Sequence, residues 1–256
     1  MKILVCIKDV PDEPAAMESA GDGYPRAGES MVRRMDRLSE YALEMALAMK
    51  DNDPAVVVDT VGAGPPSVNR TLKRSLEMGS DRAFRIDVTE VDTWHPERVA
   101  AVLGDFTRGC GYDLIMTGAM SEDLMQGITG PLLAAELKLP TAPAVMETVY
   151  DKEKSNLLVT CELEGGVREK ARMALPALLT VQSGPRNPRY PSLTSKLRAR
   201  QQEVNLVPGL KKKGPVPPGE YIFEKPEPLG LVSMIEGTPE EKARDLIEIF
   251  REAGVL

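Results

Sequence analysis

Residues 38–86 read LSEYALEMALAMKDNDPAVVVDTVGAGPPSVNRTLKRSLEMGSDRAFRI, and two hydrophobic periods alternate along them. Leu38, Tyr41, Ala42, Met45, Ala46 and Met49 recur at the spacing of one helix face, which predicts a helix over 38–50 with a single apolar stripe. Ala55–Val61 is a short apolar, β-branched run and reads as a strand. A second helix over 66–78 and a strand over Arg82–Ile86 repeat the pattern. Working outward, Ile3–Lys8 and Leu114–Thr117 supply further strands, and 97–109 and 128–138 further helices. Apolar strands alternating with helices imply a mostly parallel sheet covered on both faces. The expected fold is therefore α/β and doubly wound, of the Rossmann-like, nucleotide-binding type. In such folds ligands collect at the carboxyl ends of the strands, near the point where strand order reverses.

From Thr141 the pattern changes. Residues 144–150, 156–163, 167–173 and 177–182 read as strands, with Glu164-Gly165-Gly166 as the turn of an added β-hairpin. Gly184, Pro185, Asn187, Pro188 and Pro191 then mark an ordered, non-helical loop, followed by a basic amphipathic turn with Lys196, Arg198 and Arg200 around Leu193 and Leu197. The expected first domain is thus 1–200, and 201–256 an arm. Residues 201–235 are too rich in proline for a helix or a central strand. They read as an extended arm lying on a partner or as a linker. Thr238 caps a final helix, Pro239–Glu252, with Glu241 completing a capping box. A helix at the end of such an arm suggests a second subunit.

Composition removes several classes. The formal charge is −7 and Lys and Arg are scattered, whereas nucleic-acid binding needs a concentrated basic face. No apolar run approaches the roughly 20 residues that span a bilayer. MKILVCIKDV reads as a first strand rather than a signal peptide, so the expected location is cytoplasmic. Cys6, Cys110 and Cys161 are dispersed, with no CxxC, which fits neither a disulfide framework nor a zinc site. Cys6 and Cys161 are expected to be small buried hydrophobes. The single histidine, His95, is expected as an exposed residue at a helix start, and Asp9 and Asp12 as surface charge on a loop.

Two segments suggest an anion site. Gly62-Ala63-Gly64-Pro65-Pro66 joins a strand to a helix, though a tight turn with no ligand explains it as well. TGAMSEDLMQGITGPLLAAEL, residues 117–137, runs from a strand end into a helix starting near Gly127–Gly130. The amides of Gly127, Ile128, Thr129 and Gly130 then form a phosphate cradle without a Walker lysine, or a glycine-rich helix entry with no ligand. No Ser/His/Asp or Cys/His set and no metal-ligand spacing is present, which favours binding a nucleotide over hydrolysing one.

Several segments resemble the β subunit of electron transfer flavoproteins. MKILVCIKDVPDEP is similar to that family's opening strand and turn, SEYALEMALAMK to its first helix, and LKRSLEMGSDRAFRI to its second helix and third strand. CELEGGVREKARMALPALLTV followed by NPRYPSLTSKLRAR resembles its signature region, and the similarity runs over about residues 1–205. The resemblance implies a heterodimer with a larger α subunit that carries the electron-transferring FAD. It implies a second nucleotide in this subunit: AMP in simple carriers, or FAD in electron-bifurcating relatives. By matching positions, Cys6, Lys8, Asp36, Val61, Ala63, Asp123 and Gly127 through Gly130 (with Ile128 and Thr129) would hold it. The loop Asn187–Arg200 resembles the family's recognition loop for partners such as an acyl-CoA dehydrogenase. Leu193 would be its anchor beside Tyr190, Lys196 and Leu197, unless Leu193 packs on its own domain. Three segments depart from the family pattern, one being the lysine-rich tail after the recognition loop, thinned here to Arg198, Arg200 and Gln201. Gly118-Ala119-Met120-Ser121-Glu122-Asp123-Leu124-Met125 stands where Gly-Lys/Arg-Gln-x-x-Asp-x-Asp is usual, and Asp36-Arg37 where Asn-Pro is usual. The alternative, a nucleotide-binding sensor or stress-type protein, would use residues 1–140 but has no use for the hairpin, the loop or the arm.

Overall fold

The computed structural model describes residues 1–12, 17–19, 25–27, 32–209 and 234–255. They fall in two compact units, one ending at residue 209 and one beginning at 234. In chain order the elements are β1 (Lys2–Cys6), β2 (Asp9–Pro11), β3 (Met17–Ser19), β4 (Pro25–Ala27), β5 (Arg33–Met35), α1 (Arg37–Asn52), β6 (Val57–Gly64) and α2 (Val68–Met78). Then come β7 (Arg82–Asp87), α3 (Glu90–Thr93), α4 (Pro96–Thr107), β8 (Leu114–Gly118), α5 (Thr129–Leu137), β9 (Thr141–Asp151) and β10 (Asn156–Glu162). The chain continues through β11 (Arg168–Ala174), β12 (Ala177–Val181), α6 (Leu193–Arg200), β13 (Val204–Pro208) and α7 (Pro239–Glu252).

Nine strands form one sheet in the order β11-β10-β9-β12-β8-β1-β6-β7-β13. From β9 to β13 every neighbouring pair is parallel, while β10 pairs antiparallel with both β9 and β11. β1 is buried on both faces. Ile3 and Val5 join the core under α1 and α2, and Leu4 and Cys6 the core under α4 and α5. Alternate residues of one apolar strand thus feed two layers, as a doubly wound sheet requires. Order reverses between β1 and β8: the chain winds outward through β6 and β7 on one side and through β8 and β12 on the other.

The structure adjusts four expectations. The buried stripe of α1 centres on Leu43 and Leu47, while Tyr41 and Met45 lie at its margin and line a second cleft with Met146 and Val149. The sheet also extends past residue 200, because β13 pairs with β7 as an edge strand, the one place where Pro208 costs no ladder bond. Of the expected arm, residues 210–233 lie outside the described part. Asp9 is a buried residue rather than a surface charge, holding the Arg33 guanidinium at 2.5 Å and the Thr71 hydroxyl. The unit from 234 on holds α7, whose Thr238–Glu241 capping box is formed as expected. No helix among the described residues is long and apolar enough to cross a membrane.

His95 occupies the N-cap position of α4 without a side-chain cap bond, and it is 2% exposed rather than a surface residue. Burial, aided by Arg98, pulls its imidazole below the ordinary histidine range, against the opposing pull of Glu97 and Asp92. The folded state therefore keeps it neutral at a pH where the unfolded chain, near a pKa of about 6.5, takes a proton. Stability contributed this way is present above about pH 6.5 and falls as pH drops toward the folded pKa, by at most about 1.4 kcal/mol per pH unit. His95→Gln is expected to lose this component of the pH profile. Urea midpoints measured from pH 7.5 to 5 check it, and parallel curves for the two proteins would show that the imidazole is not held neutral.

Candidate functional site

An open cleft lies at the carboxyl ends of β1 and β8, where the sheet reverses its order. Cys6, Ile7 and Lys8 leave β1 on one side, and Thr117, Gly118 and Ala119 leave β8 on the other. Asp36 and Ser39 enter from the start of α1, Pro96 and Val99 from the start of α4, and Ile128, Thr129 and Gly130 from the start of α5. Three helix N-termini therefore face one space, each with its partial positive charge.

Only one of the three is closed by a side chain. Asp36 caps α1, accepting from the Ser39 amide at 2.9 Å, and its other oxygen accepts from the Glu122 amide at 2.9 Å. Burial raises the pKa of this carboxyl, against those amide donors. α5 has no side-chain cap, and among the described residues nothing accepts from the amides of Ile128, Thr129 or Gly130. The first amide of this helix to find a carbonyl is that of Leu132, which donates to Ile128 at 3.0 Å. Gly127 enters the helix at φ +67°, a conformation that side chains disfavour. Gly130 lets the helix press on the sheet, since a Cβ there would lie 2.6 Å from Thr180 Cγ2 and 2.7 Å from Thr117 Oγ1.

A charged latch closes the rim. The Lys8 ammonium reaches Asp123 at 2.6 Å and the Ser121 hydroxyl at 3.0 Å. Burial pulls the Lys8 pKa down, opposed by Asp123. Glu122 takes Arg34 at 2.8 and 3.1 Å and the Arg37 amide at 3.1 Å, and hydrogen bonding to Arg34 holds its carboxyl below the usual range. The loop after β8 is thus fastened to β1 and to the start of α1.

Of the residues matched to a nucleotide site, Cys6, Lys8, Asp36, Ala63, Gly127, Ile128, Thr129 and Gly130 line the cleft. Val61 does not: it is fully buried under the α4 face of the sheet. Asp123 is not part of the lining and stands at the rim, paired with Lys8. Burial pushes the Cys6 thiol up to about 12, so it is a wall of the cleft and not a nucleophile. Sequence reasoning missed Ser39, Thr93, Pro96, Val99 and Gln126. A legible signal existed for two of them, because the Pro at the start of α4 marks a helix N-terminus at the ligand edge of the sheet. Tyr190, Leu193 and Leu197 lie away from this lining, 79%, 75% and 51% exposed, so Leu193 does not pack into its own domain. Lys196 sits 4.8 Å over the Tyr190 ring. Among the described residues no group of three or more His, Cys, Asp or Glu is placed to hold a metal.

Residues 29–209 match the family model described as the electron transfer flavoprotein domain. The electron transfer flavoprotein subunit beta of Methylophilus methylotrophus is 30% identical over 264 residues, 98% of each chain. That of Bradyrhizobium diazoefficiens is 30% identical over the whole of both chains, and the human one 25% identical over 99% of this chain and 98% of its own. A doubly wound sheet with its cleft at the order reversal, and a likeness that spans the full chain, lead to one assignment: the protein belongs to the electron transfer flavoprotein family, on the side of its β subunits.

Proposed function

We propose that the chain works in a heterodimer with an electron transfer flavoprotein α subunit, and that its cleft holds an adenosine 5′-phosphate group, as part of FAD or as AMP. The heterodimer carries electrons from a dehydrogenase of the acyl-CoA dehydrogenase type to an acceptor. The observation that carries the nucleotide reading is the uncapped start of α5, whose free amides face the same cleft as Lys8. Helix-start amides without acceptors stand at the positive end of the helix dipole, and an anion is the ligand that suits them. Ile128, Thr129 and Gly130 would hold the phosphate through their amides, and Lys8 would supply charge by releasing Asp123. Val99, Leu103 and Ile128 offer an apolar wall to a ring system. A flavin, when bound, supplies reversible uptake of electrons; the chain itself binds, orients and excludes water. The exposed Leu193 with Tyr190 and Leu197 serves as the contact for the dehydrogenase. The three thiols, none in a disulfide, suit a reducing cytoplasm.

Co-expression with the α subunit, denaturation and chromatography give FAD and AMP per heterodimer. About two FAD and no AMP supports a flavin in this cleft and makes electron bifurcation the mode to assay. About one of each supports AMP here and a simple carrier. One FAD with no AMP overturns the cleft reading.

A further inference from the structure

The segment that carries Tyr190 and Leu193 is buttoned to α1. The Arg189 guanidinium meets the Glu44 carboxylate through Nε at 2.8 Å and Nη2 at 3.0 Å, and the Arg189 amide donates to the same carboxylate at 3.1 Å. Nη2 also reaches Asp51 at 2.7 Å. The Tyr41 hydroxyl donates to the Asn187 side chain at 3.2 Å. Tyr41, Glu44 and Asp51 follow one another along a single stripe of the helix, so the contacts form a line.

Glu44 is the informative member. Its side chain is only 7% exposed on a helix that otherwise buries Leu43 and Leu47, and a carboxylate so placed needs a partner. A two-pronged guanidinium fixes the plane of its partner as a single ammonium does not. Hydrogen bonding to Glu44, offset in part by burial, raises the Arg189 pKa, so the charge is permanent. The pin stands one residue before Tyr190 and four before Leu193. Both are large, apolar and exposed, so their own burial does not orient them. Beyond the pin, Ser192 caps α6 by accepting from the Ser195 amide at 3.1 Å, and Arg74 of α2 lies 5.0 Å over the Tyr190 ring.

We infer that Arg189 is the positioning residue of the docking segment: through Glu44 and Asp51 it holds Tyr190 and Leu193 in the arrangement that the partner dehydrogenase takes up. The inference rests on the reading of this segment as the dehydrogenase contact. A segment ordered before encounter does not lose that freedom on binding, so the clamp acts on association rather than on the electron-transfer step.

The test uses the complete heterodimer as electron acceptor of a purified acyl-CoA dehydrogenase supplied with its acyl-CoA. KM for the heterodimer and kcat are measured, with flavin reduction by dithionite as the partner-independent control. Arg189→Gln is expected to raise KM about tenfold, with kcat and dithionite reduction within about twofold. Arg189→Lys, which restores charge without the fork, is expected to recover part of that loss. Asp51→Asn keeps the Glu44 contacts, raises KM about two- to threefold, and serves if Arg189→Gln does not assemble. If Leu193→Ala raises KM while the Arg189 and Asp51 variants leave it unchanged, the clamp is overturned and the docking reading stands. If Leu193→Ala also leaves KM unchanged, the docking reading falls and the clamp with it. A fall in kcat and in dithionite reduction alike would make Arg189 a general structural residue and overturn the inference.

Discussion

Replacing Arg82 with methionine is expected to lower the free energy of unfolding by about 3 kcal/mol, because it leaves the carboxylate of Asp59 buried without its counter-charge. Asp59 is fully buried in β6, accepting from Arg82 Nε at 3.0 Å and Nη2 at 2.6 Å, and from the Tyr112 hydroxyl at 2.9 Å. Burial, more than the neighbouring carboxylate, raises the Tyr112 pKa, so the phenol stays a donor. The Lys2 ammonium lies 4.2 Å over the Tyr112 ring and donates to the Cys110 carbonyl at 2.8 Å. The cluster closes the amino-terminal edge of the sheet, opposite the cleft. The Arg82 side chain is 51% exposed, so water takes over part of its role and the cost sits at the low end of the range for broken buried pairs. For a chain of this length each kcal/mol shifts Tm by about 2–4 °C, which a thermal melt resolves. Nucleotide content should not change. The triple variant Asp59→Leu, Arg82→Met, Tyr112→Phe removes every polar partner together and should recover most of the loss, as apolar replacement of a whole buried network does. A loss below about 1 kcal/mol in Arg82→Met would mean that the carboxylate is satisfied without the arginine.

The sequence carried the layered fold well, since β1, α1, β6, α2, β7, α4, β8 and α5 each declare their period within a dozen residues. The extents of α1 and of the hairpin β10–β11 differ from expectation by one or two positions. What stayed hidden depends on partners far along the chain. The three-residue strands β2 and β5 are too short for any period, yet their pairing buries Asp9 and sets Arg33 against it. β13 looks like part of an arm until β7, some 120 residues earlier, offers it a ladder. The site shows the same limit. Asp36-Arg37 and the 118–125 loop depart from the family pattern at two places distant in sequence, and in the fold these departures touch. Asp36 accepts from the Glu122 amide, and Glu122 accepts from the Arg37 amide. Two unusual segments that secure each other point to a rebuilt rim rather than a decayed one, and neither segment alone reveals it.

Gly130→Ala is expected to cost about 2–3 kcal/mol of stability and to reduce the nucleotide retained by the heterodimer at least about tenfold. The added methyl would stand 2.6 Å from Thr180 Cγ2 and 2.7 Å from Thr117 Oγ1. Neither threonine is free to turn away. Thr180 Oγ1 accepts from the Ala144 amide at 3.1 Å, and the Thr117 hydroxyl donates to the Gly118 carbonyl at 3.0 Å. Rotating either side chain therefore breaks a hydrogen bond in the interior. The alternative is for the start of α5 to lift off the sheet, which moves the amides of Ile128, Thr129 and Gly130 out of the cleft. Stability and binding should then fail together, and a double variant separates them. Thr180→Ser deletes Cγ2 while keeping the hydroxyl, so Gly130→Ala with Thr180→Ser should recover part of both losses, whereas Thr180→Ser alone should lower stability slightly. Thermal melts and released nucleotide per heterodimer provide the two readouts. If Gly130→Ala melts early but keeps its nucleotide, the amides of α5 do not hold the phosphate, and the ligand must take its anion contact from Lys8 or from the start of α4.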